Sequence, residues 1–152
     1  MTPQQTPQQV AERCAAIMWA DDHAAQGLGM ELSEVGEGTA RVRMVVRQDM
    51  VNGHGSCHGG FIFALGDCAF AYASNSFNHR AVASGVDISF LAPAHFGDVL
   101  TSLAKVRHQG GRMGVYDIEV TNQDGRLIAL FRGRSTRVKG HFFAADGTQA
   151  RI

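Results

Sequence analysis

The chain is short of cysteine, short of proline and without net charge, and each shortage narrows what it can be. Its three cysteines, Cys14, Cys57 and Cys68, are odd in number and follow no disulfide-framework spacing, which points to a reducing compartment, the cytoplasm. Three prolines and 45% hydrophobic residues in 152 fit one globular domain with a real core. Lys and Arg total 14 and Asp and Glu total 14, so no global field would draw the protein onto nucleic acid or an anionic membrane. Any anionic ligand must be held by local cations. The opening Met1 to Gln9 carries no basic residue and no apolar run, so neither a secretory signal nor an organelle presequence is expected there. The apolar stretch Phe61 to Phe77 is short for a membrane span, and Asp67, Ser74 and Asn75 within it would be costly in lipid.

What is present is a pattern of strands around one long apolar helix. Residues 1–9 are expected to form a loose tail, 10–140 the folded domain, and 141–152, which have no clear periodicity, a second tail. Val10, Cys14, Ile17 and Met18 share one face of an amphipathic helix expected to end near Gly27. Met30 to Val35 and Thr39 to Val46 flank Gly36-Glu37-Gly38, and Ala40, Val42, Met44 and Val46 alternate with polar neighbours, which predicts a hairpin with one buried face. An irregular stretch rich in Gly, Asn and His leads to the run from Phe61. That run is too long and too rich in alanine for a buried strand, so it is expected to be a core helix. Its small residues Ala64, Gly66, Ala69, Ala71 and Ala73 would let a sheet come close. Strands are then expected at Val82 to Leu91, Val99 to His108, Met113 to Thr121 and Leu127 to Val138. Strands running on after a single central helix predict an α+β fold with an antiparallel sheet, because parallel strands would need helices between them.

Two features of the central helix carry chemistry. Asn52 through His58-Gly59-Gly60 ends where the helix begins, so glycine N–H groups lie free at a positive helix end and can polarise a carbonyl oxygen. Asp67 is the only charged residue between His58 and Asn78, so no polar face accounts for it. It lies eight residues after Gly59, roughly 12 Å along the axis. One helix therefore cannot bring both to one carbon, and joint action requires two copies of the chain in a dimer. Asp67 would serve as a base activating water or as a nucleophile.

Other chemistries fit less well. Gly55-Ser56-Cys57-His58-Gly59 matches a cysteine form of the nucleophile elbow, but that motif belongs to a larger alternating α/β sheet. His54, Cys57 and His58 are too close together, with no second cluster, for the usual zinc patterns, so no metal is expected. The glycines lack the Gly-Lys-Ser/Thr ending of a nucleotide phosphate loop. No cofactor is indicated.

With these residues assembled, the sequence resembles the hotdog-fold acyl-CoA thioesterases, most closely their PaaI-type (phenylacetate-pathway) branch. The resemblance runs from about Val10 to Lys139. It is carried by Met50-Val51-Asn52-Gly53-His54, Ser56-Cys57-His58-Gly59-Gly60, Asp67 with Ala69-Phe70-Ala71-Tyr72-Ala73, Val106 to Gly110, Gly114 to Glu119 and Ala129 to Gly133. It implies a hotdog fold, an antiparallel sheet around one long helix, with two subunits joining their sheets, sites at the dimer interface, and a homotetramer overall. It also implies hydrolysis of an acyl-CoA ester, (hydroxy)phenylacetyl-CoA or a medium acyl chain. Asp67 matches the catalytic carboxylate, Gly59 the backbone donor to the thioester carbonyl, Asn52 the residue orienting substrate or water, and His58 and Gly60 the turn between them. Cys68 departs from the hydroxyl residue that relatives often carry beside the acid. Coenzyme A phosphates would need cations, for which Arg112, after the Gly110-Gly111 turn, and Arg134 are the candidates. The competing reading is an acyl-CoA sensor of the same fold without catalysis, which would need an output module that the sequence does not display.

Overall fold

The computed structural model describes residues 4–150, so residues 1–3 and 151–152 of the two expected tails lie outside it. A six-stranded sheet in the order β1-β2-β4-β5-β6-β3 wraps α3, and every pairing in it is antiparallel. The strands are β1 (Glu31–Gly36), β2 (Thr39–Val45), β3 (Ala81–Phe90), β4 (Val99–Gly110), β5 (Met113–Thr121) and β6 (Leu127–Arg137); α3 spans Gly59–Ser74. The predicted α+β architecture is thus observed, with strand ends within a residue or two of expectation. The register shifts in β1–β2, β3–β6, β4–β5 and β5–β6, and bulges in general bend a sheet and increase its twist, as wrapping a helix requires.

The alternation read in β2 is real: Ala40, Val42, Met44 and Val46 are all buried under α3. The small residues of α3 act as expected. A Cβ on Gly66 would meet Phe131 Cδ2 at 2.9 Å, and one on Gly133 of β6 would meet the Phe70 ring at 2.8 Å, so ring and backbone interlock from both sides. Buried Ser102 on β4 ties the layers together by donating to the Leu65 carbonyl of α3 at 3.0 Å.

The N-terminal helix departs from expectation at both ends. It begins at Pro7, inside the expected tail, because Thr6 and Gln9 form a reciprocal capping box and proline suits the first helical position. It does not continue to Gly27. α1 (Pro7–Ala20) stops, and Asp22 caps a separate short helix, α2 (His23–Gly27), its side chain accepting the Ala25 N–H. The expected C-terminal tail is also corrected over the described residues. Phe142 and Phe143 are buried against Cys14, Val10, Ile17 and Met18, which is where the apolar face of α1 finds its partner. Asn78, at positive φ, holds this segment: its amide accepts the Phe142 N–H and donates to the Phe143 carbonyl, both at 2.9 Å.

Candidate active site

The loop before α3 is built around Asn52. Its side-chain oxygen accepts the His54 N–H at 2.9 Å and, less closely, the N–H and hydroxyl of Ser56. Its Nδ2 has no partner among the described residues and is free to donate. Gly55, at φ 80, makes the turn, and the return strand is pinned where Cys57 N–H donates to the Ala94 carbonyl and His58 N–H to that of Met50, both at 2.7 Å. The loop therefore delivers α3 at a fixed angle.

His58 is the N-cap of α3, with Nδ1 accepting the Gly60 N–H at 3.3 Å, and its carbonyl accepts the Phe61 N–H at 3.0 Å. Two of the N–H groups orphaned at this helix start are thereby satisfied. The Gly59 N–H is not. It has no acceptor among the described residues, and it lies at the positive end of a 16-residue helix. Gly59 lines a 420 Å3 groove with Ser56, Cys57, Ile62, Phe90 and Leu91. The Phe90 ring comes so close that a Cβ on Gly59 would stand 3.1 Å from it.

Asp67 opens elsewhere, onto a 250 Å3 pocket walled by α2. Ala24, Leu28 and Met30 face Ala64 and Ala71 across it, with Asp67, Cys68 and Asp22 between. The Asp67 carboxylate accepts no hydrogen bond from a described residue, and burial raises its pKa above the ordinary carboxylate range. Its neighbour Cys68 makes no hydrogen bond to it; burial first, then the charges of Asp22 and Asp67, push that thiol up to about 12, so it is neutral.

The structure thus gathers Asn52, His58, Gly59 and Gly60 at the start of α3 and sets Asp67 apart from them in its own pocket. Arg112 and Arg134 join neither group. Arg112 is exposed in the β4–β5 turn, where its carbonyl accepts the Arg137 N–H, at the sheet end that meets the C-terminus of α3. Arg134 lies over Gly85 and donates to Asp87 at 2.7 Å. Cys57 is not an activated nucleophile: burial, with Asp98 adding to it, pushes its thiol up to about 11. The described residues hold no group of three or more His, Cys, Asp or Glu side chains placed to share a metal ion, and no described helix is long and apolar enough to cross a membrane.

Asp22 and Tyr72 escaped the sequence reading. The Tyr72 hydroxyl donates to Asp22 at 2.9 Å, which fastens α2 to the helix that carries Asp67. The signal was present in Asp22 followed by His23-Ala24-Ala25, an N-cap pattern obscured inside an apparently continuous helix.

Comparison with known proteins agrees with this architecture. A model of the thioesterase superfamily matches residues 54–129. The chain is 52% identical over 126 residues to the acyl-coenzyme A thioesterase PaaI of Escherichia coli K12, a match covering 83% of this chain and 90% of that protein. The solved structure of the E. coli PaaI protein from the phenylacetic acid degradation operon superposes with a TM-score of 0.88 at 48% identity, over 90% of this chain and 99% of that one. A Streptococcus mutans protein solved with acetyl CoA bound gives a TM-score of 0.71 at 27% identity, over 74% of this chain and 90% of that one. The chain belongs to the thioesterase superfamily, with its hotdog fold, and is a thioester hydrolase.

Proposed function

We propose that the protein hydrolyses acyl-CoA thioesters, with an arylacetyl group such as (hydroxy)phenylacetyl favoured over medium acyl chains, at sites formed between two copies of the chain. The observation that carries this reading is the separation of its two reactive features. An N–H at Gly59 and a carboxylate at Asp67, both unpaired among the described residues, sit on one helix but line different cavities, so each lacks what the other supplies. A second α3 packed antiparallel would set the partner's helix start opposite Asp67.

The fold offers a surface for that pairing. Among the described residues the outer edge of β3 pairs with no strand, and Val82, Phe90 and Leu91 along it are each 52% exposed. Long edges with exposed apolar side chains are prone to pair with another chain. Phe90 and Leu91 also line the Gly59 groove, so the edge and the groove form one continuous surface. Joining two β3 strands would extend the sheet across both subunits; two such dimers would make the tetramer, in the cytoplasm.

In the reaction, Asp67 takes a proton from water while the water oxygen attacks the thioester carbon, or its carboxylate attacks directly and forms an anhydride that water then cleaves. Negative charge develops on the carbonyl oxygen, where the Gly59 N–H and the helix end receive it; a single such donor is worth about 10² to 10³ in kcat. The C–S bond breaks and the coenzyme A thiolate leaves, protonated in the base route by Asp67. Asn52 orients water or substrate through its free Nδ2, and His58 and Gly60 keep the turn. Arg112 and Arg134 are the proposed phosphate contacts. That the relatives named above include a PaaI thioesterase and a protein solved with acetyl CoA supports the choice of coenzyme A ester. A thiol-release assay on a panel of acyl-CoA esters tests it: hydrolysis by the wild type should fall by at least about 10² in Asp67→Ala. A fully active Asp67→Ala protein would defeat the mechanism, and a wild type that binds the esters without cleaving them would be a sensor.

A further inference from the structure

The wall of the Asp67 pocket is a five-residue helix held mainly by side chains. A helix as short as α2 has little stability of its own. Asp22 serves it twice. One carboxylate oxygen accepts the Ala25 N–H at 3.1 Å and caps the helix, and the other accepts the Tyr72 hydroxyl at 2.9 Å. Tyr72 is 1% exposed, lies five residues after Asp67 on α3, and packs its ring against Trp19 of α1 with centroids 6.1 Å apart. At the far end of α2 the Gly27 carbonyl accepts a hydrogen bond from Arg47 at 3.0 Å, and Arg47 is itself paired with Asp49 just before the Asn52 loop.

We propose that Asp22 and Tyr72 are positioning residues that fix the width of the acyl pocket by holding α2 at a set distance from α3. The inference rests on the reading of Asp67 as the reacting carboxylate. With the thioester carbon at Asp67, the acyl substituent has the adjoining cavity to occupy. That cavity is 250 Å3; Ala24, Leu28, Met30, Ala64 and Ala71 line it with apolar surface, and its two carboxylates, Asp22 and Asp67, offer no cation to an anionic acyl end. Ala64 and Ala71 leave room beside α3, while Leu28 and Met30 close the other side. This shape suits a short acyl group ending in a flat apolar ring. It rewards that group only while α2 is pressed against it, since a loosened wall loses the contacts but leaves Asp67 in place.

The test compares Tyr72→Phe, Asp22→Ala and Asp22→Asn with wild type on phenylacetyl-CoA and acetyl-CoA, together with amide hydrogen exchange over residues 23–28. Acetyl-CoA, with a methyl group in place of the arylmethyl, has far less surface to press against the wall. Tyr72→Phe is expected to lower kcat/KM for phenylacetyl-CoA about tenfold, chiefly through KM, and to affect acetyl-CoA far less. Exchange at 23–28 should quicken. Asp22→Ala should do the same or more, and Asp22→Asn, which keeps a polar partner for the hydroxyl and a cap for α2, should recover most of the preference. An active wild type whose preference and α2 exchange are unchanged by Tyr72→Phe would overturn the proposal, as would an equal fall on both esters. A wild type that cleaves neither ester would instead defeat the Asp67 reading, and this inference with it.

Discussion

Gly59 and Asp67 ride on the same helix yet open into different cavities, Gly59 into the groove under Phe90 and Asp67 into the pocket behind α2. Each is chemically incomplete where it stands. Among the described residues the N–H at the helix start has no acceptor, and the carboxylate has no donor to offset its burial.

The Gly59 donor can be removed with little damage to the fold. Gly59 is the first residue of α3, where proline is well tolerated, and His58 before it is already extended at φ −60 and ψ 133, as a residue preceding proline must be. Gly59→Pro should keep the circular-dichroism spectrum and lose about 10² or more in kcat. Gly59→Ala is the control: it keeps the N–H and brings the same Cβ to 3.1 Å from the Phe90 ring, so its loss should be much smaller. Equal losses in the two variants would assign the effect to crowding of Phe90.

Burial of Asp67 should cost stability at neutral pH. Its folded pKa is raised above the unfolded value, so the folded state holds the proton more tightly and stability falls as pH rises through the interval between the two. Asp67→Asn removes that penalty. Thermal denaturation should show a higher Tm for Asp67→Asn at about pH 7 and a gain that shrinks as pH is lowered toward about 4. A constant difference across this range would mean that titration of Asp67 is not its source.

The interlock of α3 with β6 should be intolerant of a single added methyl. Gly66→Ala and Gly133→Ala each force a Cβ to within 2.9 Å or 2.8 Å of a buried ring. Each should cost about 1 to 3 kcal/mol by denaturant titration. Gly53→Ala, where an added Cβ meets nothing within 4 Å, should stay within about 0.5 kcal/mol of wild type.

Much of this was legible in the residues because it rests on local signals. The β2 alternation, the turn glycines of β4 to β6 and the unbroken apolar run of α3 each fix their element without reference to distant partners. The Gly59 to Asp67 spacing needed only the rise of a helix. What the sequence could not announce depends on nonlocal pairing. Nothing in β3 says that it crosses to the far edge of the sheet beside β6, because that register arises from strands far apart in the chain. Phe142 and Phe143 are too few for periodicity, and their burial depends on the Asn78 clamp and the face of α1. Asp22 lies inside the helix expected to run on to Gly27, and its cap on Ala25, with its bond to Tyr72, is where the chain breaks instead. Charge and a place on or beside the late strands single out Arg112 and Arg134, and neither signal reports that Arg134 is engaged by Asp87.

The most direct test of a site shared between two chains is the activity of a heterodimer of Asp67→Ala and Gly59→Pro subunits, isolated through two different affinity tags. Both parent homodimers have only damaged sites. In the heterodimer one site combines both lesions, while the other draws Asp67 from the Gly59→Pro chain and Gly59 from the Asp67→Ala chain and is intact. The account predicts recovery to about half the wild-type turnover per dimer. A verified heterodimer no more active than its parents would contradict it.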